Sequence, residues 1–383
     1  MKKVTFLTVL LLSASSFAQT LVASYKPVDS KYNWGYLNEK GEILIEPSYK
    51  TVVDFNEDGV TPVFDLATKT WKFINVKNEM IDVQLKRFEP ASVFGFGKTS
   101  FKDGVAIIVS KKKKGVINLK GEILFEPTFD FISPFVDGFA TAKMGMSFYV
   151  LSAEGEKIEV KESLLKIRKF SEGFAPFRGK NELFGFLNTK GEVVIEPKFL
   201  GVGHMVGGVA WAKNFNKQVG YINTKAEWII SARYLAGKKM DPETGMARVK
   251  DAAGWKLINK KGNEVQADGA IAYGDFHDGV AFARQGKKFG YVDAKGEWIV
   301  KASYLKAKNF NEGFAAVRTT DKWGFINKKG EMIFEEQAKA IRNFKNGFAA
   351  VQNMQGLWGF INTKGEWVIE AQYTRVRDFH LVK

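Results

Sequence analysis

Residues 54 to 65 read DFNEDGVTPVFD, and their acids fall where an oxygen-ligated calcium loop would place them: Asp54, Asn56, Asp58, then Gly59, with Asp65 at the twelfth position. The same slots further along read NFNEGF and NFKNGF without the acids, and no helical periodicity flanks the stretch, so it reads as one copy of a recurring turn. Residues 201 to 208, GVGHMVGG, offer backbone amides to a phosphate, but no helix follows to add its dipole. The three histidines, His204, His277 and His380, show no ligand spacing and are expected to be scattered surface groups; with no cysteine, a His/Cys zinc site is excluded. Glutamates are numerous enough to supply the carboxylate pair of a glycoside hydrolase. They recur, however, one after each Lys-Gly dipeptide, whereas a catalytic pair occurs once. The chain therefore reads as non-catalytic, with no cofactor and no metal.

Two groups suit binding rather than catalysis. Lys111, Lys112, Lys113 and Lys114 form a run of like charge before a strand, which reads first as a solvated loop and second as an electrostatic contact with an acidic polymer, lipid head groups or a protein partner. Trp228, Trp298 and Trp367 each follow the glutamate of a turn. At alternate positions of a strand they either pack in the core or form an exposed ladder that stacks on sugar rings.

These groups must be positioned by a repeated element. KWGFINKKGE at 322 to 331 returns as LWGFINTKGE at 357 to 366. Aligned starts fall at Trp34, Trp71, Lys114, Phe148, Phe184, Val219, Trp255, Phe289, Trp323 and Trp358, a period of about 35 residues. Each unit carries two aromatic and β-branched runs flanking a Lys-Gly turn, then a second turn such as Glu312-Gly313 and a run such as GFAAV. The fold class expected is all-β: a tandem array of about ten three-stranded units spanning residues 19–383. The repeat tryptophans and the Phe before each second turn are its predicted core. The string Trp-Gly, aromatic, aliphatic, Asn, then x-Lys-Gly-Glu resembles the bacterial WG-repeat family, also called KWG repeats. That resemblance implies a β array with a binding or scaffolding role and brings no catalytic residues.

An open solenoid or superhelix is favoured over a closed, propeller-like ring, because propellers more often have four to eight blades of four strands. The termini nonetheless complement each other. TLVASY resembles a third strand, and the last unit stops at RDFHLVK, where its own third strand should begin. Residues 1–18 read as a secretory signal peptide: Lys2 and Lys3, an apolar run from Val4 to Leu12 too short to span a bilayer, and small residues up to Ala18. The expected location is periplasmic or secreted, not transmembrane after cleavage, and export disfavours nucleic acid. The function expected is a protein-binding or scaffold module of the cell envelope, with an envelope or extracellular protein as partner. The alternative is a carbohydrate- or peptidoglycan-binding protein using exposed aromatics.

Overall fold

The computed structural model describes residues 19–30, 33–92 and 97–383. The expected leader at 1–18 lies outside the described residues. Among the described residues every regular element is a strand, and no helix is long and apolar enough to cross a membrane.

The clearest unit is an antiparallel meander of Phe314–Arg318, Trp323–Asn327 and Met332–Ala338, with Ala316 opposite Phe325 and Phe325 opposite Phe334. The third strand breaks at Lys339 and resumes for two residues, Ala340–Ile341, which pair with Gln352 and Val351 of the next unit. Most sheets therefore contain four strands, a correction to the three expected. The fourth is the tail of the preceding unit's third strand, too short to show an alternation of its own. In the first unit that strand is unbroken: Ile43–Val52 pairs with both Trp34–Asn38 and Val60–Asp65.

The glycine of Trp-Gly has a steric cause. Trp358 lies opposite Tyr373 and Phe360 opposite Ile369, so a step of two residues on one strand faces a step of four on its partner. The bulge brings the Ile369 carbonyl oxygen to 2.3 Å from where a Cβ on Gly359 would stand. The matching oxygen lies at 2.5, 2.2, 2.4 and 2.3 Å for Gly35, Gly185, Gly220 and Gly290. No side chain fits there, and the bulge recurs because the glycine does.

The Lys-Gly turn is held by asparagine. Asn362 Oδ1 accepts from the Lys364 and Glu366 amides at 2.9 and 3.1 Å, while its Nδ2 donates to Glu366 Oε2 at 2.9 Å. Gly365, at φ +80°, takes the left-handed position the turn requires. Asn38, Asn118, Asn188 and Asn327 hold their glutamates in the same way. The recurring Glu is thus a turn clamp.

The core lies between units. Phe55, Phe170, Phe310 and Phe344, each preceding a second turn, are fully buried, as is Phe379 at the corresponding place before the last strand. Phe344 packs 4.7 Å, ring to ring, from Phe325 of the unit before it. Trp34, Trp323 and Trp358 are only half-buried, which corrects the expectation that they form the core. At the chain ends, Thr20–Lys26 pairs with Trp34–Asn38 on one side and with Arg375–Val376 and His380–Val382 on the other. Ala23, Tyr25 and Leu37 share a hydrophobic cluster with Ala350, Phe360 and Phe379 of the last unit. The two ends therefore meet within one sheet, at the point where other units carry their second turn.

Candidate interaction face

Most of the aromatics that open the repeat are covered by cations. Arg342 lies 5.4 Å from the Trp358 ring centroid, Arg377 6.0 Å from Trp34, and Arg168 5.7 Å from Phe184; Lys308 and Arg318 flank Trp323 at 5.1 and 5.2 Å. Trp255 carries Lys238 and Arg248 at 5.6 and 5.5 Å, Trp71 carries Lys98 at 5.7 Å, and Phe148 carries Lys143 at 5.6 Å. Each contact lies within the range of cation–π attraction.

Several of these cations also reach into the next unit. Arg168 Nη2 donates to the Val202 carbonyl at 2.7 Å, Lys308 Nζ to that of Ile341 at 2.8 Å, and Arg248 Nε to Asp275 Oδ1 at 2.6 Å. Arg342 pairs with Asp378 at 3.4 Å, and Arg377 with Asp54 at 3.6 Å. One cation thus caps a ring in its own unit and binds a carbonyl or carboxylate in its neighbour, while part of the aromatic and part of the charge still face solvent. Where the last unit meets the first, Trp34, Trp358, Arg342, Arg377, Asp54 and Asp378 line an open cavity of about 560 Å³.

A second ladder joins the turns. Glu312 accepts from the Asn346 and Gly347 amides at 2.7 and 2.8 Å, Glu172 from Gly207 and Gly208 at 2.6 and 2.9 Å, and Asp278 from Gly313 at 2.7 Å. Glu312 and Gly313 both have positive φ, as the two central residues of a type I′ hairpin require. Paired positive-φ residues point amides outward, and the preceding unit's carboxylate fills that concavity.

The groups singled out in the sequence are dispersed. Lys111 and Lys112 form the tip of a hairpin closed by Ser110 opposite Lys113, at φ 48° and 67°, and are exposed. Lys113 pairs with Asp130, and Lys114 turns inward over the Phe131 ring at 4.8 Å. Trp228 is 40% exposed and edge-on to Phe199; Trp367 is edge-on to Phe334 of the preceding unit; Trp298 Nε1 donates to the Asp268 carbonyl at 2.9 Å. All three tryptophans are wedged against neighbouring residues and keep one edge in solvent.

Asp54 of the calcium-like stretch is bound by Arg377 and by His380 Nε2, the latter at 3.2 Å. Burial alone would raise its carboxyl, but the His380 hydrogen bond and the charges of Arg377, His380 and Lys345 outweigh it and hold it below the usual carboxylate range. His204 corrects the surface expectation: its Nδ1 is buried, and burial together with Arg168 and Lys169 lowers its pKa to about 4. The cation ladder was missed in the sequence because its members sit at a position that also reads Val, Thr, Ser and Gly. Aligning the residue two before each buried Phe, or before Met240 in its place, namely Arg168, Lys238, Lys308, Arg342 and Arg377, would have shown it.

Among solved structures the chain is similar to a eukaryotic initiation factor, at 9% identity over 82% of this chain and 95% of that chain, with a TM-score of 0.48. It is also similar to BamB from Moraxella catarrhalis, at 12% identity over 70% and 84% of the two chains, with a TM-score of 0.28. At these values neither likeness carries an inference. No curated protein matches the chain. The family model described as a WG-containing repeat matches residues 34–64, 115–145, 184–217, 289–323, 323–354 and 358–380. With those six matches falling on bulged strands of the Trp-Gly type and their clamped turns, the chain belongs to the WG-repeat family.

Proposed function

We propose that this is a non-catalytic binding protein, exported to the periplasm or beyond, whose units close into a ring and present a repeated aromatic–cation face to acidic segments of a protein partner. The closed arrangement is supported over the open one by the pairing of Thr20–Lys26 with His380–Val382 and by the hydrophobic cluster joining the tenth unit to the first. A ring places equivalent positions of every unit on one side, so the capped aromatics act together.

The observation that carries the binding reading is the recurrence of a half-exposed cation over the repeat aromatic, in a chain of formal net charge +15. Such a face attracts acidic surfaces and loses that attraction as salt screens it. The test is fluorescence anisotropy of a labelled Glu/Asp-rich peptide with residues 19–383, at low and high salt. Salt-sensitive binding, reduced by Arg375→Glu in the seam cavity, supports the reading.

A second reading is favoured by the solvent edges of Trp228, Trp298 and Trp367. Sugars stack on aromatic faces at such solvent-reaching tryptophans, so this reading is a carbohydrate or peptidoglycan ligand. Retention on purified sacculi without peptide binding would select it and overturn the first.

A further inference from the structure

Lys114 occupies the place of the repeat aromatic. It lies opposite Phe129, as Trp358 lies opposite Tyr373 and Phe184 opposite Phe199. Replacing an indole by an alkyl chain leaves space, and among the described residues no side chain refills it. A cavity of about 350 Å³ opens between the third and fourth units, walled mainly by Val105, Ile107, Phe131, Ile132 and Phe135, with Lys114 on its lining. That volume lies within the roughly 300–1,000 Å³ range of small-molecule sites.

The unit that begins at Val219 also lacks the aromatic, but it carries an indole on the adjacent strand: the Trp211 ring lies 2.7 Å from where a Cβ on Gly203 would stand. The third-unit residue matching Trp211 is Ile107, and Ala91 takes the place of Gly203, its amide donating to the Ile107 carbonyl at 2.9 Å as that of Gly203 donates to the Trp211 carbonyl at 2.8 Å. The Thr99 hydroxyl donates to the Ala91 carbonyl at 3.0 Å. The third unit thus has an aliphatic chain at both positions, Lys114 and Ile107.

Its described polar lining is Ser92, Thr99, Ser100, Lys102 and Lys114, with Lys102 exposed and Lys114 partly buried. Ser100 Oγ donates to the Val60 carbonyl at 2.9 Å, so neither it nor the Thr99 hydroxyl is spare. Lys114 Nζ rests over the Phe131 ring, and among the described residues no carboxylate is recorded against it. An ammonium beside an apolar chamber recognises a molecule with an apolar body and one negative end. The geometry points to a binding site for small amphipathic carboxylates, with the aryl or alkyl body between Ile107, Phe131 and Phe135 and the carboxylate on Lys114. This site is independent of the protein-binding reading, and either stands if the other fails.

The experiment is calorimetric titration of residues 19–383 with 3-phenylpropanoate, octanoate and the neutral 3-phenylpropan-1-ol. At least one acid gives saturable binding, and the alcohol binds about tenfold more weakly than its acid or worse. Lys114→Met keeps the alkyl stem, weakens the acids by a similar factor and leaves the alcohol unchanged. Lys114→Trp restores the residue found at Trp34, Trp323 and Trp358, fills the chamber and removes binding while raising the melting temperature. Absence of saturable heat for both acids overturns the proposal. So does equal affinity for acid and alcohol, or undiminished binding by a folded Lys114→Trp variant.

Discussion

Replacing Gly359 by alanine isolates the steric role of the second letter of the Trp-Gly pair. The new Cβ would stand 2.3 Å from the Ile369 carbonyl oxygen and 2.7 Å from the Ala371 amide nitrogen, both backbone atoms, so no rotamer change relieves it. Relief requires the bulged strand to withdraw by about 1 Å, which opens one or two ladder hydrogen bonds at about 1 kcal/mol each. Overpacking adds about 1–3 kcal/mol, and the stiffer unfolded chain returns about 0.4–1 kcal/mol. The net expected loss is about 1–4.6 kcal/mol, centred on about 3 kcal/mol and read as a lower urea midpoint. Gly330→Ala is the contrasting variant: Gly330 has a positive φ of 80°, which Gly359 lacks, and its nearest neighbour is a side-chain atom, a Val300 methyl at 3.4 Å. That variant should lose only about 1–2 kcal/mol, the cost of a left-handed alanine. A Gly359→Ala loss below about 1 kcal/mol, or one smaller than that of Gly330→Ala, would refute the close-approach argument.

Phe344→Ala, which empties a fully buried site, should cost about 3–5 kcal/mol by denaturation, whereas half-buried Trp323→Ala should cost about half as much. Equal losses would return the tryptophan to the core. Glu312→Ala leaves the Asn346 and Gly347 amides without their carboxylate and should cost about 1–2 kcal/mol, with raised amide exchange confined to that turn. His204 has its pKa lowered from 6.5 to about 4, so across that window the unfolded chain binds a proton that the folded one excludes. Stability should therefore fall as pH drops from 6.5 toward 4, and His204→Phe should flatten that part of a melting-temperature profile. Asp54 is shifted in the same direction, at lower pH: its stabilisation is present above the unfolded carboxylate value and lost as pH falls through its lower folded value, so Asp54→Asn should blunt only the acid limb below about 4.

The repeat, its strands and its glycine turns were legible because each leaves a local mark. Positive φ at Gly365 selects glycine, alternation marks Met332–Ala338, and Phe344 precedes its turn at the full period. What was not legible depends on contacts between units. The two-residue tail Ala340–Ile341 has no periodicity of its own, and the bulge opposite Gly359 appears only when two strands are paired. The half-burial of Trp323 follows from Arg318 and Lys308 covering its outer side, and cations at variable positions do not announce themselves in one sequence. The Lys111–Lys114 run was visible as charge. That its last member faces an apolar chamber required seeing Ile107 and Phe131 beside it.

Ring closure is the claim on which the shared face depends, and the cysteine-free chain makes it directly measurable. Paired cysteines at Leu21 and Leu381, which face each other across the terminal strands, can be spin-labelled for a distance measurement in solution. A closed ring predicts one short distance, on the order of 20 Å or less including the label arms, since paired strands lie about 5 Å apart. Ten units in an open stack, with sheets about 10 Å apart, would separate the ends by several tens of ångströms. A long or broad distribution in the folded protein would contradict the ring.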